Sequence, residues 1–170
     1  MTSNAIDIID VLLKYSSGVI TGICASVLTA RFALSKFYQE KWWEKKHNSY
    51  GDLLDLLIEI RVLFTKASMH YERIHEAEQK LETDIDYSFD WEEFNRVSSK
   101  LRRLYVLAPI SLGKNTKSHI DKFLKEEIET NRAVYEENYP EHIAYSEMST
   151  EVEKLINLIV DDARKELRFK

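Results

Sequence analysis

Residues 50–81, YGDLLDLLIEIRVLFTKASMHYERIHEAEQKL, decide the fold. Tyr50, Leu53, Leu54, Leu57, Ile60, Phe64, Ala67, Tyr71 and Ile74 step by three or four, which returns each side chain to one face of an α-helix. Leu81 extends the row after a longer interval. The row predicts a long amphipathic helix from about Ser35 to Leu81, with Gly51, behind His47, Asn48 and Ser49, as the place for a bend.

The same period recurs downstream. After the connector ETDIDYSFD, Asp90 and Glu93 stand at capping distance ahead of a helix bearing Phe94, Val97, Leu101, Leu104, Tyr105 and Ala108, which Pro109 and Gly113 should end. A third helix, from about Asn115 to Asn138, carries Ile120, Phe123, Leu124, Ile128, Val134 and Tyr135, and Pro140 closes it. The last should open at Thr150, paired with Glu153, and bear Val152, Leu155, Ile156, Ile159, Ala163 and Leu167. Short loops between amphipathic helices predict an all-α fold, an antiparallel four-helix bundle over residues 35–170. Composition agrees: with 4 Gly and 2 Pro in 170 residues, Gly-rich phosphate loops and many-turned β architectures are excluded. The single cysteine, Cys24, leaves no intrachain disulfide and no multi-cysteine metal site.

Upstream, residues 15–30, YSSGVITGICASVLTA, hold no charge and lie between Lys14 and Arg31. With Val11, Leu12, Leu13 and a snorkelling Lys14 the stretch reaches twenty residues, about 30 Å of helix, which matches the hydrocarbon thickness of a bilayer. Residues 1–34 are therefore expected to form an N-terminal segment with a transmembrane helix. Asp7 and Asp10 precede the apolar run and no A-x-A site follows it, which argues against a cleaved signal peptide. Residues 31–46 sum to +3 and residues 1–30 to -1, so the positive-inside rule predicts a single-pass protein of the inner, cytoplasmic membrane, N-terminus outside and C-terminal body cytoplasmic. Trp42 and Trp43, beside Phe37 and Tyr38, read either as an interfacial aromatic belt or as bundle packing.

Gly18, Gly22, Ser26 and Ala30 recur every four residues, and Ser17, Thr21, Ala25 and Thr29 form a second small ridge. Lipid is as apolar as leucine, so membrane helices associate through close backbone approach, and two small ridges predict a homo-oligomer within the membrane. A ring of such helices enclosing a pore would place Lys14 and Arg31 at its mouths; a closed bundle fits the same residues.

Catalytic chemistry is thinly represented. Glu44 with His47, and Glu72 with His75, give two E-x-x-H units, but both lie on one helix, about 40 Å apart, so they cannot share a metal and no metal or cofactor is expected. HEPN ribonucleases, which are helical bundles, need Arg or Asn five to seven positions before His, and none of the five histidines satisfies this. Lys114, Asn115 and His119 are the nearest candidates, with a cation to hold phosphate and a base to move a hydroxyl proton; Asn115 reads equally as a helix cap. An enzyme is not expected. Residues 47–170 sum to -7, so direct nucleic-acid binding is not expected either, Lys100, Arg102 and Arg103 forming one local basic patch.

The order of an uncharged span, the basic aromatic stretch FYQEKWWEKKHNSY and a helical bundle resembles small bacterial single-span proteins with a Trp-Trp-Glu-Lys-like segment. It also resembles the membrane accessory proteins of type VI-B CRISPR systems. That likeness is one of architecture, since the strict HEPN signature is absent. It implies a HEPN-like bundle, a membrane pore that strengthens antiphage defence, and an RNA-guided nuclease among the cytoplasmic protein partners. The expected function is thus a homo-oligomeric, pore-forming membrane effector, with a membrane-tethered adaptor that recruits a cytoplasmic partner as the alternative.

Overall fold

The computed structural model describes the backbone of residues 3–81 and 85–167, and the side chains of 21–81 and 85–167. Four helices make up its regular structure: α1 (Ser3–Gln79), α2 (Trp91–Ser111), α3 (Lys114–Glu137) and α4 (Glu141–Glu166), with no strand among the described residues. Two compact units result, residues 1–44 and 45–170.

The second unit is a helical bundle. Pairings at descending numbers show that its neighbours run antiparallel: Arg61 with Glu153, Thr65 with Ser149 and Ser68 with His142 join α1 to α4. Glu59 with Arg96 joins α1 to α2, Tyr105 with Asp121 and Arg102 with Glu127 join α2 to α3, and Thr116 with Asp162 and Thr130 with Met148 join α3 to α4. The expected stripes supply the core: Leu53, Leu57, Ile60, Phe64 and Ala67 from α1, Phe94, Val97, Leu101 and Ala108 from α2, Ile120 and Phe123 from α3, and Val152, Leu155, Ile159 and Ala163 from α4. Far from residue 45, aromatic rings fill the space. Phe64 meets Phe94 edge-on at 5.0 Å, and Trp91 lies 5.5 Å from Phe94 and 5.7 Å from Tyr145, separations at which ring quadrupoles attract.

Several boundaries differ from expectation. α4 opens at Glu141, behind Pro140, and not at Thr150, whose hydroxyl donates to the Ser146 carbonyl at 3.1 Å inside the helix. Proline's fixed φ suits a helix entry, and the buried Ala144, Tyr145 and Met148 carry the stripe back to it. Pro109 lies inside α2, near its end, where one missing amide is tolerated while Ala108 and Leu112 stay buried. Asp90 does cap α2, accepting from the Glu93 amide at 3.1 Å. α3 ends through Asn138 in the left-handed conformation, φ 56°, and the Tyr139 amide returns to Ala133 O at 3.0 Å.

Stripe membership also needs correction. Ile128 and Tyr135 are 58% and 74% exposed, and the buried places on α3 go to Thr116 and Glu127. Leu81, expected to extend the α1 stripe, is exposed and turns out of the helix with φ 58°. The expected connector begins at residues 82–84, outside the described residues, and continues through 85–90 without helix.

In the first unit α1 runs from Ser3 to Glu44, and residues 21–42 are all exposed. No helix is long and apolar enough to cross a membrane among the described residues, and the side chains of Lys14, Ser17 and Gly18 lie outside them.

α1 passes through Gly51, the expected place for a bend, without ending. A Cβ there would meet nothing within 4 Å. Glycine in a helix interior costs about 0.5–1 kcal/mol against alanine, so Gly51→Ala should stabilise the bundle by that amount, read as a higher melting temperature by circular dichroism.

Candidate functional site

The densest polar arrangement lies at the end of the bundle where residue 45 begins it. Tyr50 is 2% exposed and sits one turn above Lys46 on α1, Thr116 and His119 share a face of α3's first turns, and Asp162 and Glu166 are one turn apart on α4. Asp162 Oδ2 accepts from Thr116 Oγ1 at 3.1 Å. That commits the only proton on Thr116, so the 3.0 Å contact between Tyr50 and Thr116 has the phenol donating. The phenol oxygen in turn accepts the Gly113 amide at 3.4 Å. A directed chain results, from the Gly113 N–H through two hydroxyls to a carboxylate, and it crosses three helices.

Two further contacts flank it. His119 Nε2 lies 3.7 Å from Asp162 Oδ2, and Lys46 forms an ion pair with Glu166. A Cβ on Gly113 would overlap the Glu166 carboxylate, so the glycine before α3 gives that carboxylate its place. Burial pushes the Tyr50 phenol above its usual pKa and keeps it protonated.

Of the candidates, Lys114 does not converge with His119, whereas Asn115 lies one turn before His119 on the same side of α3. Gly113, and not Asn115, is the N-cap of α3, with no side-chain cap bond; Lys114 and Asn115 are exposed in the first turn. At about 100° per residue, Lys114 and His119 lie about 140° apart around the helix. The cleft beside His119 is about 40 Å³ and is lined by Lys122, Glu126, Glu151 and Lys154 among others. What this arrangement does is fix the register of α1, α3 and α4 with paired polar groups.

Two of the E-x-x-H residues, Glu44 and His75, are otherwise engaged. Glu44 takes Lys41 at 2.7 Å, and His75 stacks on His142 at 4.8 Å while contacting Gln79 at 2.9 Å. Groups of three or more His, Cys, Asp or Glu arranged to hold a metal do not occur among the described residues. A buried carboxylate that periodicity missed, Glu127, lies between α2 and α3, where Arg102 Nη2 donates to it at 3.3 Å. Burial raises its pKa despite Arg102 and Ser98.

On α1 the membrane candidates stand apart from all of this. Thr21, Gly22, Ala25, Ser26, Thr29, Ala30 and Arg31 are exposed, as is Trp42 at 55%, while Trp43 is half-buried. Ser26 Oγ donates to Gly22 O at 2.7 Å and Thr29 Oγ1 to Ala25 O at 2.8 Å, so these hydroxyls are satisfied by their own helix. Gly22 faces open space.

Comparison of the chain with protein-family models, with curated proteins and with solved structures gives no match.

Thr116→Val keeps the shape of the side chain and strands both the Tyr50 proton and the Asp162 carboxylate. It should destabilise the bundle by about 1–3 kcal/mol in thermal unfolding, whereas His119→Ala, at the rim, should cost less than half of that. Glu127 binds its proton more tightly folded than unfolded. Its contribution therefore favours the fold below the usual carboxylate pKa and is lost as pH rises through the raised value. Glu127→Gln should remove that pH dependence and raise stability at pH 7, with melting at pH 5 and pH 8 as the check.

Proposed function

We propose that the protein is a single-span membrane effector that acts as a homo-oligomer, its first helix packing against copies of itself in the inner membrane and its bundle in the cytoplasm. One observation carries the reading: residues 21–42 of α1 are a helix with no cover from the chain itself, whose charges, Arg31, Lys36, Glu40 and Lys41, all fall from residue 31 onward, within the basic flank. At about 100° per residue, Ile23, Val27, Leu28, Phe32, Leu34, Phe37, Tyr38 and Trp42, all more than half exposed, spread over about 220° of its circumference. Gly22, Ala25, Ser26 and Thr29 occupy the remaining arc. Large apolar side chains suit lipid, and a small-residue arc suits a neighbouring helix.

Two details support this division. Hydroxyls bonded to the carbonyl four residues back need neither water nor a partner, so lipid does not penalise them. Gly22 has no side-chain neighbour within the chain, so its backbone is open to close approach by another helix. The uncharged residues 15–20 extend the segment toward the length of a span, and the basic excess over 31–46 favours a cytoplasmic body. An oligomer that opens the bilayer is the pore reading, and the resemblance to type VI-B CRISPR accessory proteins adds antiphage defence, with an RNA-guided nuclease as partner.

Gly22→Leu tests the proposal without disturbing the fold, since the added side chain enters open space. Helicity and melting of the bundle should stay unchanged, while cross-linked oligomers in mild detergent disappear and depolarisation of expressing cells is abolished. An intact oligomer in the variant contradicts the proposal.

A further inference from the structure

The face that α1 and α2 share carries two rows of opposite charge at matching heights. Arg96 Nη2 donates to Glu59 Oε1 at 3.1 Å and fixes the level at which the two antiparallel helices pass. Asp55 stands four residues before Glu59 and Lys100 four after Arg96; Asp52 and Arg103 stand seven before and seven after. Asp55 is therefore level with Lys100, about 6 Å along the pair, and Asp52 with Arg103, about 10 Å along it.

The rows face each other without meeting. They are the walls of a groove of about 390 Å³, whose lining also includes the buried Leu56, the half-buried Leu104 and Leu107, 44% exposed. Asp52, Asp55, Lys100 and Arg103 are exposed, and among the described residues none of these side chains forms a hydrogen bond or an ion pair. Each thus has an opposite charge at its own height across the groove and makes no contact with it.

We infer that this face is an interface between two copies of the chain, in which Asp52 and Asp55 of each meet Arg103 and Lys100 of the other. The inference deepens the homo-oligomer reading above, rests on it for the local concentration of copies, and uses no placement of the bundle relative to residues 1–44. Symmetry selects the arrangement. A half-turn about an axis along the helices keeps every residue at its height and lays α1 of one copy over α2 of the other, so acid covers base twice. A half-turn about an axis across the helices would lay acid on acid. A foreign partner would need both rows at this spacing, whereas a second copy carries them by construction. Exposed charge pairs are individually weak, so the contact forms where copies are already gathered.

The test uses full-length protein in mild detergent, with Cys24→Ser and a nitroxide at Tyr135→Cys, a position 74% exposed on α3. Pulsed electron resonance should give one narrow distance between copies. Asp55→Lys and Lys100→Glu should each keep the melting temperature and the cross-linked oligomer but broaden that distance, and the chain carrying both substitutions should regain it. In Gly22→Leu protein, which the span no longer gathers, the narrow distance should return only on concentrating the sample. Asp55→Lys should then raise the dissociation constant about 100-fold, about tenfold for each of its two contacts. A distance that survives both single reversals, or a doubly reversed chain that does not regain it, overturns the inference. So does the lack of a defined distance in the unaltered protein at any concentration, which leaves the groove to another partner. The two proposals fail separately: an oligomer that persists in dilute Gly22→Leu protein contradicts the span, while a distance indifferent to charge reversal contradicts the groove.

Discussion

Apolar surface that a chain cannot cover itself must be covered by something else, and α1 imposes this constraint on the whole protein. From residue 21 to residue 42 no side chain is buried, although Phe32, Phe37 and Trp42 are among them. Each large side chain left in water costs about 1.5–3 kcal/mol relative to burial, so this helix is not stable as an isolated exposed element. In the proposed reading, lipid on the broad face and further copies on the narrow, small-residue face would resolve that cost.

The bundle meets an opposite constraint, since it must bury polar groups. Tyr50, Thr116 and Asp162 satisfy one another in a single donor order, with the Gly113 amide at its head. Such a chain tolerates no slip of α3 along α1 or α4, because a shift of one residue would leave a hydroxyl and a carboxylate unpaired in the interior. Phe64, Phe94, Trp91 and Tyr145 fix the far end by shape. The two ends are therefore specified by different physics, hydrogen bonding near residue 45 and ring packing away from it.

Much of this was legible in residue order. Steps of three and four identified all four helices, and the apolar positions of α1, α2 and α4 between Leu53 and Ala163 are largely those of the core. Apolar periodicity gives no signal where the core itself is polar. On α3 it chose Ile128 and Tyr135, which are exposed, over Thr116 and Glu127, which are buried because a partner across the bundle satisfies each. The start of α4 was missed for a related reason: Thr150 and Glu153 imitate a capping box, while the true entry at Pro140 has no side-chain cap to recognise. His119 was found as a histidine near a cation, but its neighbour is Asp162 from another helix, a pairing that sequence spacing cannot reveal.

The lone cysteine offers the most direct measurement. Cys24 is exposed in the chain and falls on the broad apolar face of α1. In intact membranes a bulky, membrane-impermeant maleimide should leave it unlabelled from either side, and labelling should become complete once detergent and denaturant remove the lipid. Full reaction in untreated membranes, or recovery of the reactive protein free of membranes, would contradict the account.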